Sequence, residues 1–306
     1  MTTDMPQSAP VAVLGATGSQ GGPVLEALLA AGHQVRAIAR TPSKLASLAE
    51  RRVDTRAVDL ADPDALTRAL SGASAVFAHL PFVPVADLIE TWTTSLVRAL
   101  AAADIPMAVF TLGGPAPSGH TGVPASDTKA LAKGILQQAE TPLVGFEPGG
   151  YLHNLLLSAP SIVHDGELRY PLSAEHQWMF ISTEDQAALA VAALQRADLA
   201  GKWFRIGEPY AGADLATAIG EALGRQVRYV PLAPEALGRT LAPLIGEQAA
   251  AGVAHDYEFL NQRSPLMDLD ADTTAARREL GIAATSLVQW ARTQPWAAVA
   301  GPAPTT

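Results

Sequence analysis

The chain has 306 residues, of which 48% are hydrophobic and 17% charged, a composition typical of a compact folded protein. Its net charge of −9, without a cluster of lysine and arginine, argues against nucleic acid or anionic membranes as partners. The absence of cysteine excludes disulfides, thiolate metal sites and cysteine nucleophiles, and the seven histidines show no metal-ligand spacing. No basic leader and no apolar run long enough to span a bilayer are present, so we expect a cytoplasmic protein.

The first apolar run, residues 11–14, is followed by three glycines and then by a helical pattern that is expected to end at Gly32. Gly15, Gly18 and Gly21 have a spacing in which the glycines allow a tight bend, close approach to a pyrophosphate and close helix packing. The helix N-terminus would offer free N–H groups to a phosphate. The alternative is a glycine-rich turn without a ligand. The predicted cofactor-binding loop comprises Gly15, Thr17, Gly18, Ser19, Gln20 and Gly21.

The end of the second predicted strand, residues 34–40, indicates which dinucleotide would bind. An acidic residue at this place holds the ribose of NAD, whereas an arginine accommodates the 2′-phosphate of NADP. The sequence has Arg40 here, followed by Thr41, Ser43 and Lys44, and the nearest carboxylate is Glu50. Two cations and two hydroxyls suit a phosphate dianion, so we predict NADPH/NADP as the cofactor. Alternatively, Arg40 and Lys44 are solvated charges at the start of a helix.

Apolar strands and helices alternate up to residue 146. The predicted strands are residues 11–14, 34–40, 55–60, 73–80, 107–112 and 143–146, with helices at 42–52, from the Asp62–Pro63 cap, at 85–103 and from Ser126 or Asp127 to 140. This alternation predicts an α/β fold with a Rossmann-type, doubly wound parallel sheet. Ligands bind beyond the carboxyl ends of such strands. Further cofactor contacts are therefore expected from Asp59, Leu60, His79, Leu80, Pro81 and Thr111, although His79 could instead only cap its strand.

The pattern changes after residue 150. Short strands are predicted at residues 167–170, 178–181 and 203–206, and helices at 184–196, 213–223 and along a stretch between 234 and 260. We therefore expect an NADP-binding domain over residues 1–150. A smaller α+β substrate lobe over 151–300 would interleave with the far edge of the sheet. The last residues, 301–306, are predicted to be a disordered tail.

These motifs resemble a known family, the NmrA-like branch of the atypical short-chain dehydrogenases, which is related to isoflavone reductases and NADPH-linked quinone reductases. The resemblance extends from residue 11 to about residue 296. The matching segments are residues 15–21, 40–44, 59–60, the helix with Lys129, residues 148–155 and 181–185. The first two segments are the most specific for fold and cofactor.

The chain departs from the family pattern at the catalytic dyad. The wider superfamily has Tyr-x-x-x-Lys, and counting back from Lys129 places Ala125 where the tyrosine would be. The superfamily's serine on strand five is replaced by Thr111. The resemblance implies that Lys129 holds the nicotinamide ribose and can assist protonation. Lys129 and Lys133 are also one helical turn apart, as on an ordinary solvated face.

Residues after the sixth strand could supply the missing acid. Tyr151 and His153 can each deliver a proton when their pKa is perturbed, so both are catalytic candidates beside Lys129. A structural role for the histidine is the alternative. Pro148, Tyr151 and Asn154 are expected to contact the cofactor. The aromatic residues that could line a substrate pocket, or simply belong to the core, are Trp92, Trp178, Phe180 and Tyr257.

The leading hypothesis from the sequence is an NADPH-dependent reductase of a small conjugated or aromatic carbonyl compound, such as a quinone, an enone or a ketone. The protein would position the nicotinamide against this small-molecule substrate. Two alternatives remain open, an NADP(H)-binding redox sensor without catalysis and an isomerase or cyclase that uses the cofactor structurally. A homodimer is also conceivable.

Overall fold

The computed structural model describes residues 9–262 and 271–302. Its strands are β1 Val11–Leu14, β2 Val35–Ala39, β3 Asp54–Ala57, β4 Ala75–His79, β5 Ala108–Thr111, β6 Leu143–Pro148, β7 Gly150–Tyr151, β8 Glu167–Tyr170, β9 Trp178–Ile181, β10 Trp203–Ile206, β11 Glu208–Tyr210 and β12 Arg228–Pro231. Seven of them form one parallel sheet in the order β10-β6-β5-β4-β1-β2-β3. The order reverses between β1 and β4, which is the place where doubly wound sheets form a ligand crevice.

Helices cover both faces of this sheet. The helices of the described residues are α1 Gly21–Ala30, α2 Pro42–Glu50, α3 Pro63–Leu70, α4 Ala86–Ala102, α5 Pro124–Leu136, α6 Ala159–Asp165, α7 Thr183–Ala193, α8 Gly212–Leu223, α9 Pro234–Ile245, α10 Glu247–Asn261, α11 Ala275–Leu280, α12 Leu287–Thr293 and α13 Trp296–Ala300. One face packs against α1, α2 and α7, and the other against α3, α4 and α5. The predicted doubly wound α/β fold is confirmed.

The central strands β1, β4 and β5 are apolar over most of their length because both of their faces are buried, whereas the edge strand β3 carries Asp54 and Arg56 and is partly exposed. Alternate residues of β1 enter opposite cores, so Val13 packs with the α1 side and Leu14 with the α3–α5 side. A third core, around Tyr170, Phe180 and Trp290, lies in the second half of the chain. Because the strands of the large sheet are parallel, the loops that follow their carboxyl ends lie at one edge of the sheet.

The second half of the chain also contributes to the large sheet. Strand β10 pairs in parallel with β6 and forms the edge of the sheet. Strands β7 and β11 follow β6 and β10 in the chain and form the small sheet β11-β9-β7, and β12 and β8 form a two-stranded sheet. The division at residue 150 stays a prediction. The predicted disordered tail includes residues 303–306, which lie outside the described residues.

Several boundaries differ from the sequence predictions. Strand β3 ends at Ala57 rather than at residue 60. The stretch between residues 234 and 260 is two helices, because Gly246 has a left-handed φ of +86° at the junction of α9 and α10. Helix α5 begins at Pro124, before the predicted caps Ser126 and Asp127. No described helix has both the length and the apolar character required to cross a membrane.

Candidate active site

The loop after β1 has the geometry that its glycines predict. Gly15 adopts φ +74°, a conformation that favours glycine, and its carbonyl accepts a hydrogen bond from the N–H of Gly18 at 2.8 Å. A Cβ added to Gly21 would lie 2.3 Å from the carbonyl oxygen of Gly15, so only glycine lets α1 approach the strand this closely. The first turn of α1 has no acidic residue. The helix therefore presents its partial positive charge beside a loop that a phosphate can approach.

The side chain of Gln20 points to a polar ligand at this loop. Gln20 is only 8% exposed, and its amide oxygen has no hydrogen-bond partner among the residues that the structure describes. A buried acceptor without a donor is costly, so such groups usually have a partner when the site is filled. A ribose hydroxyl or a carboxamide of a dinucleotide can donate this hydrogen bond. The glycine loop and Gln20 thus fit the predicted cofactor.

A cleft of about 620 Å³ lies beyond the carboxyl ends of the strands, and residues of α9 and α10 form one of its walls. Six predicted site residues line it, namely Ser19, Gln20, His79, Lys129, Tyr151 and Asn154. Most of the remaining lining is apolar and includes Phe82, Leu157, Trp178, Leu237, Leu241 and Tyr257. The structure therefore joins the glycine loop and an apolar pocket in one continuous cavity.

The predicted phosphate-binding residues lie at the beginning of α2. Arg40, Ser43 and Lys44 are exposed, and no carboxylate of the described residues forms an ion pair with either cation. The Arg40 guanidinium carbon lies 5.8 Å from the centroid of the Trp92 ring. Trp92 is buried there and does not line the cleft as the sequence analysis suggested. The two cations remain available for a phosphate.

Other predicted contacts surround the cleft or support it. The Asp59 carboxylate accepts a hydrogen bond from the N–H of Ala61 at 3.0 Å, Leu60 is a core residue and Thr17 is exposed on the glycine loop. Pro148 is buried at the end of β6. A small cavity of about 40 Å³ is lined by Leu80, Pro81, Thr111 and Lys129, among others.

Lys129 forms a buried ion pair across two helices. Its Nζ donates to Asp256 Oδ2 at 2.6 Å, and the side chains of the two residues are 8% and 17% exposed. The other carboxylate oxygen of Asp256 accepts a hydrogen bond from Ser126 Oγ at 2.5 Å. Lys129 is therefore not on a solvated face, and its charge is balanced by α10. Sequence analysis missed Asp256, which carries no local motif.

His79 closes β4 and faces the cleft as a neutral ring. Its Nδ1 lies 3.1 Å from the carbonyl oxygen of Thr111, which requires a proton on Nδ1 and leaves Nε2 as an acceptor. Burial is the main influence on this ring and lowers the pKa of His79 from 6.5 to about 4. His79 is therefore uncharged near neutral pH and can accept, but not donate, a hydrogen bond through Nε2.

The depressed pKa of His79 predicts a loss of stability in mild acid. Between pH 6.5 and 4 the unfolded chain binds a proton at this site and the folded chain does not, so the free energy of unfolding falls as pH decreases. The loss should reach at most about 3 kcal/mol, because some solvent reaches the ring. Urea denaturation across this range measures it. His79→Asn should flatten the dependence of the free energy of unfolding on pH, whereas the control His255→Asn, at an exposed histidine, should not. Equal pH dependences in the two variants would contradict the prediction.

The two proposed replacements for the missing acid lie in different places. Tyr151 lines the cleft, and its hydroxyl donates to Gln186 Oε1 at 2.7 Å, while burial raises the pKa of its phenol. His153 is not among the lining residues of the cleft. Its ring contacts Thr183 Oγ1 at 3.3 Å and Glu184 at 3.4 Å. Tyr151 therefore lines the same cleft as Lys129, and His153 does not.

Two tyrosine hydroxyls meet in the apolar pocket, and sequence analysis did not predict this pair. Tyr170 and Tyr257 both line the cleft, and their hydroxyl oxygens are 2.5 Å apart. Tyr257 was expected only as an aromatic wall, and Tyr170 only as a strand residue. Trp178 lines the cleft as expected, whereas Phe180 lies behind Tyr170 in the core. No local sequence signal pairs residues 87 positions apart.

Comparison with known proteins agrees with this geometry. A sequence model of the NmrA-like family matches residues 7–290. The chain belongs to the NmrA-like family. It is also 33% identical to the NAD(P)H azoreductase of Xenophilus azovorans over 230 residues, which cover 74% of this chain and 78% of the azoreductase. The family predicted from the sequence motifs is therefore confirmed.

Solved structures of this NmrA-like protein's neighbours share its fold. Triphenylmethane reductase of Citrobacter sp., solved with NADP(H), has a TM-score of 0.75 and 20% identity, covering 92% of this chain and 99% of its own. NADPH-dependent quinone oxidoreductase of Escherichia coli, solved with NADPH, has a TM-score of 0.73 and 22% identity, covering 92% and 98%. These likenesses establish the Rossmann-type architecture. The roles of individual side chains stay predictions.

Proposed function

We propose that this NmrA-like protein is an NADPH-dependent reductase of small aromatic or conjugated acceptors, with quinones, enones and aromatic ketones as the expected carbonyl substrates. The observation that carries the proposal is the continuous cleft, in which the glycine loop meets an apolar pocket lined by Trp178 and Tyr257. The oxidoreductase class and the NADP cofactor are supported by the names of the azoreductase, dye-reductase and quinone-reductase relatives.

The residues present fit an NADP dinucleotide. The pyrophosphate would lie on the glycine loop at the N-terminus of α1, and the 2′-phosphate would lie against Arg40, Ser43 and Lys44. The nicotinamide end would face Lys129 and Tyr151 in the cleft. When bound, this cofactor supplies the hydride.

The protein's own groups would orient the acceptor and exclude water. The apolar walls hold a flat ring, and the neutral phenol of Tyr151, whose proton is donated to Gln186, can accept a hydrogen bond. The neutral His79 accepts one through Nε2. The Lys129 ammonium is paired with Asp256 at 2.6 Å in a largely buried part of the cleft.

The redox-sensor alternative is supported by a separate observation. Ala125 occupies the position of the dyad tyrosine, and the ammonium of Lys129 is already paired with Asp256. A sensor would change its conformation or its protein partner with the redox state of the cofactor. Its output would survive the loss of turnover.

A substrate panel tests the proposed function. The purified protein is mixed with NADPH and a naphthoquinone, an azo dye, an aromatic ketone or an aliphatic ketone, and NADPH absorbance is followed. We expect turnover of at least one aromatic acceptor and little of the aliphatic ketone. Tight NADPH binding without turnover of any acceptor would contradict the reductase and favour the sensor. A product formed without NADPH consumption would indicate an isomerase or cyclase.

A further inference from the structure

We propose that Tyr170 and Tyr257 form a hydrogen-bonding anchor that selects neutral aromatic substrates carrying a carbonyl oxygen or an azo nitrogen. This inference deepens the proposed function and rests on it for the reaction. The two hydroxyls are 2.5 Å apart and both residues line the cleft. They come from different elements, Tyr170 from the end of β8 and Tyr257 from α10.

A count of protons shows that the pair has a donor to spare. Two phenols carry two protons, and the bond between them uses one. Asn154 lines the same cleft and lowers the pKa of both hydroxyls, against the larger effect of burial. Among the described residues, neither hydroxyl donates a hydrogen bond to a carboxylate or a backbone carbonyl. An acceptor atom of a ligand in the cleft can receive it.

The donor stays protonated near neutral pH. Burial is the main influence on both groups; it raises the pKa of Tyr257 to about 12 and that of Tyr170 well above its ordinary value. The pair therefore offers neutral O–H donors and no compensating positive charge. Without a free cation nearby among the described residues, burial of an anionic group would cost more desolvation free energy than burial of a neutral acceptor such as a quinone oxygen.

The cations that border the cleft are already occupied. The Lys129 ammonium is paired with Asp256 at 2.6 Å, and the Arg169 guanidinium binds Glu167 and Asp165 at 2.7 and 3.1 Å. An anionic substrate would have to displace one of these pairs. The charge balance of the pocket thus favours uncharged ligands, in agreement with the phenol pair.

Packing fixes the anchor before a ligand arrives. The ring of Tyr170 is 3% exposed and makes edge contacts with Phe180 and Tyr257, with ring centroids 5.7 and 5.6 Å apart. A donor that is already oriented loses little entropy on binding. The aromatic walls can then hold the ring system while the phenols set its direction.

The test compares two ligands of similar shape, 2-methyl-1,4-naphthoquinone and 2-methylnaphthalene, which lacks acceptor atoms. Binding is measured by calorimetry on the NADP⁺-loaded protein, so no reduction occurs. Tyr170→Phe and Tyr257→Phe should each weaken quinone binding about 5- to 10-fold and leave hydrocarbon binding unchanged. Tyr210→Phe is the matched control, because Tyr210 does not line the cleft and forms no hydrogen bond with Tyr170 or Tyr257 among the described residues, whereas the Tyr229 hydroxyl donates to the carbonyls of Leu172 at 2.7 Å and Tyr170 at 3.3 Å.

The outcomes separate the anchor from the proposed function. Equal losses for both ligands, no loss for the quinone, or the same loss in Tyr210→Phe would overturn the anchor. Thermal melting of each variant shows whether a loss reflects unfolding, and the retained hydrocarbon affinity checks the pocket. If the Tyr170 and Tyr257 variants lose only quinone affinity, but the wild-type protein does not reduce quinones, the anchor is supported and the reductase is contradicted. If the wild-type protein reduces quinones, but the variants lose affinity for both ligands equally, the reductase is supported and the anchor is contradicted.

Discussion

Replacement of Lys129 by methionine is expected to lower the free energy of unfolding by about 3–5 kcal/mol, because it leaves a largely buried carboxylate without its cation. Asp256 is 17% exposed and would retain only the hydrogen bond from Ser126. Methionine keeps most of the length of the lysine stem, so the loss reflects charge more than packing. Urea denaturation followed by circular dichroism measures it.

The reciprocal and double variants provide the control. Asp256→Asn leaves the ammonium unpaired beside an amide and should also be destabilising. In the double variant Lys129→Met/Asp256→Asn the pocket is neutral again, and we expect most of the stability to return. If the two single losses simply add, the ion pair is not what couples α5 to α10, and this account of Lys129 is wrong.

The same double variant separates a structural from a catalytic role of Lys129. A stable double variant that has lost most of its NADPH-dependent turnover while it still binds NADPH would support the predicted role at the nicotinamide. Recovery of turnover together with stability would show that Lys129 serves only the ion pair. Activity of Lys129→Met alone cannot distinguish these roles, since the variant changes both.

The sequence predicted the first six strands of the large sheet, whereas β10 was expected in the smaller lobe. Strands such as β1 and β5 are buried on both faces, so their continuous apolar runs stand out between glycines and capped helices. The cap at Asp62 was predicted and is present, with its carboxylate accepting from the N–H of Ala65. The glycine spacing fixed the backbone of the loop because each position has a local steric reason.

The pocket beyond the nicotinamide end could not be predicted in the same way. Lys129 and Asp256 are 127 residues apart, and only the break at Gly246 turns α10 back across the cleft. Ser126 and Asp127 looked like helix caps, yet Ser126 binds Asp256 and Asp127 accepts from the N–H of Thr121. Short polar residues serve equally well as caps and as tertiary hydrogen-bond donors and acceptors, so local sequence does not decide between them.

The placement of His153 shows how small a local change redirects a side chain. The sequence could not show that a 3₁₀ helix begins at Leu152, directly after Tyr151. Tyr151 is the last residue of β7 and lines the cleft, whereas His153 lies within the 3₁₀ helix and packs edge-on against Trp290, with ring centroids 5.7 Å apart. Proximity along the chain to a site residue is therefore weak evidence for a shared site.

Arg40 is expected to determine the preference of the protein for NADPH over NADH. Arg40→Ala is expected to weaken NADPH binding about 10- to 100-fold and to leave NADH binding nearly unchanged, because only NADPH carries the 2′-phosphate. The Arg40 side chain is exposed and lies over Trp92, and its charge is not balanced by a carboxylate of the described residues. Dissociation constants for both cofactors, measured by calorimetry, give the result.

The residues next to Arg40 are expected to form part of the same phosphate-binding site. Helix α2 starts at Pro42 without an acidic residue in its first turn, so Ser43 and Lys44 present an N–H, a hydroxyl and an ammonium near the same point. Arg40→Ala/Lys44→Ala should therefore weaken NADPH binding further than either single change. Arg51→Ala, at the other end of α2 and paired with Glu26, removes an exposed arginine and is the matched control. Parallel losses of NADPH and NADH affinity, or a loss in Arg51→Ala of similar size, would show that these cations do not bind the 2′-phosphate.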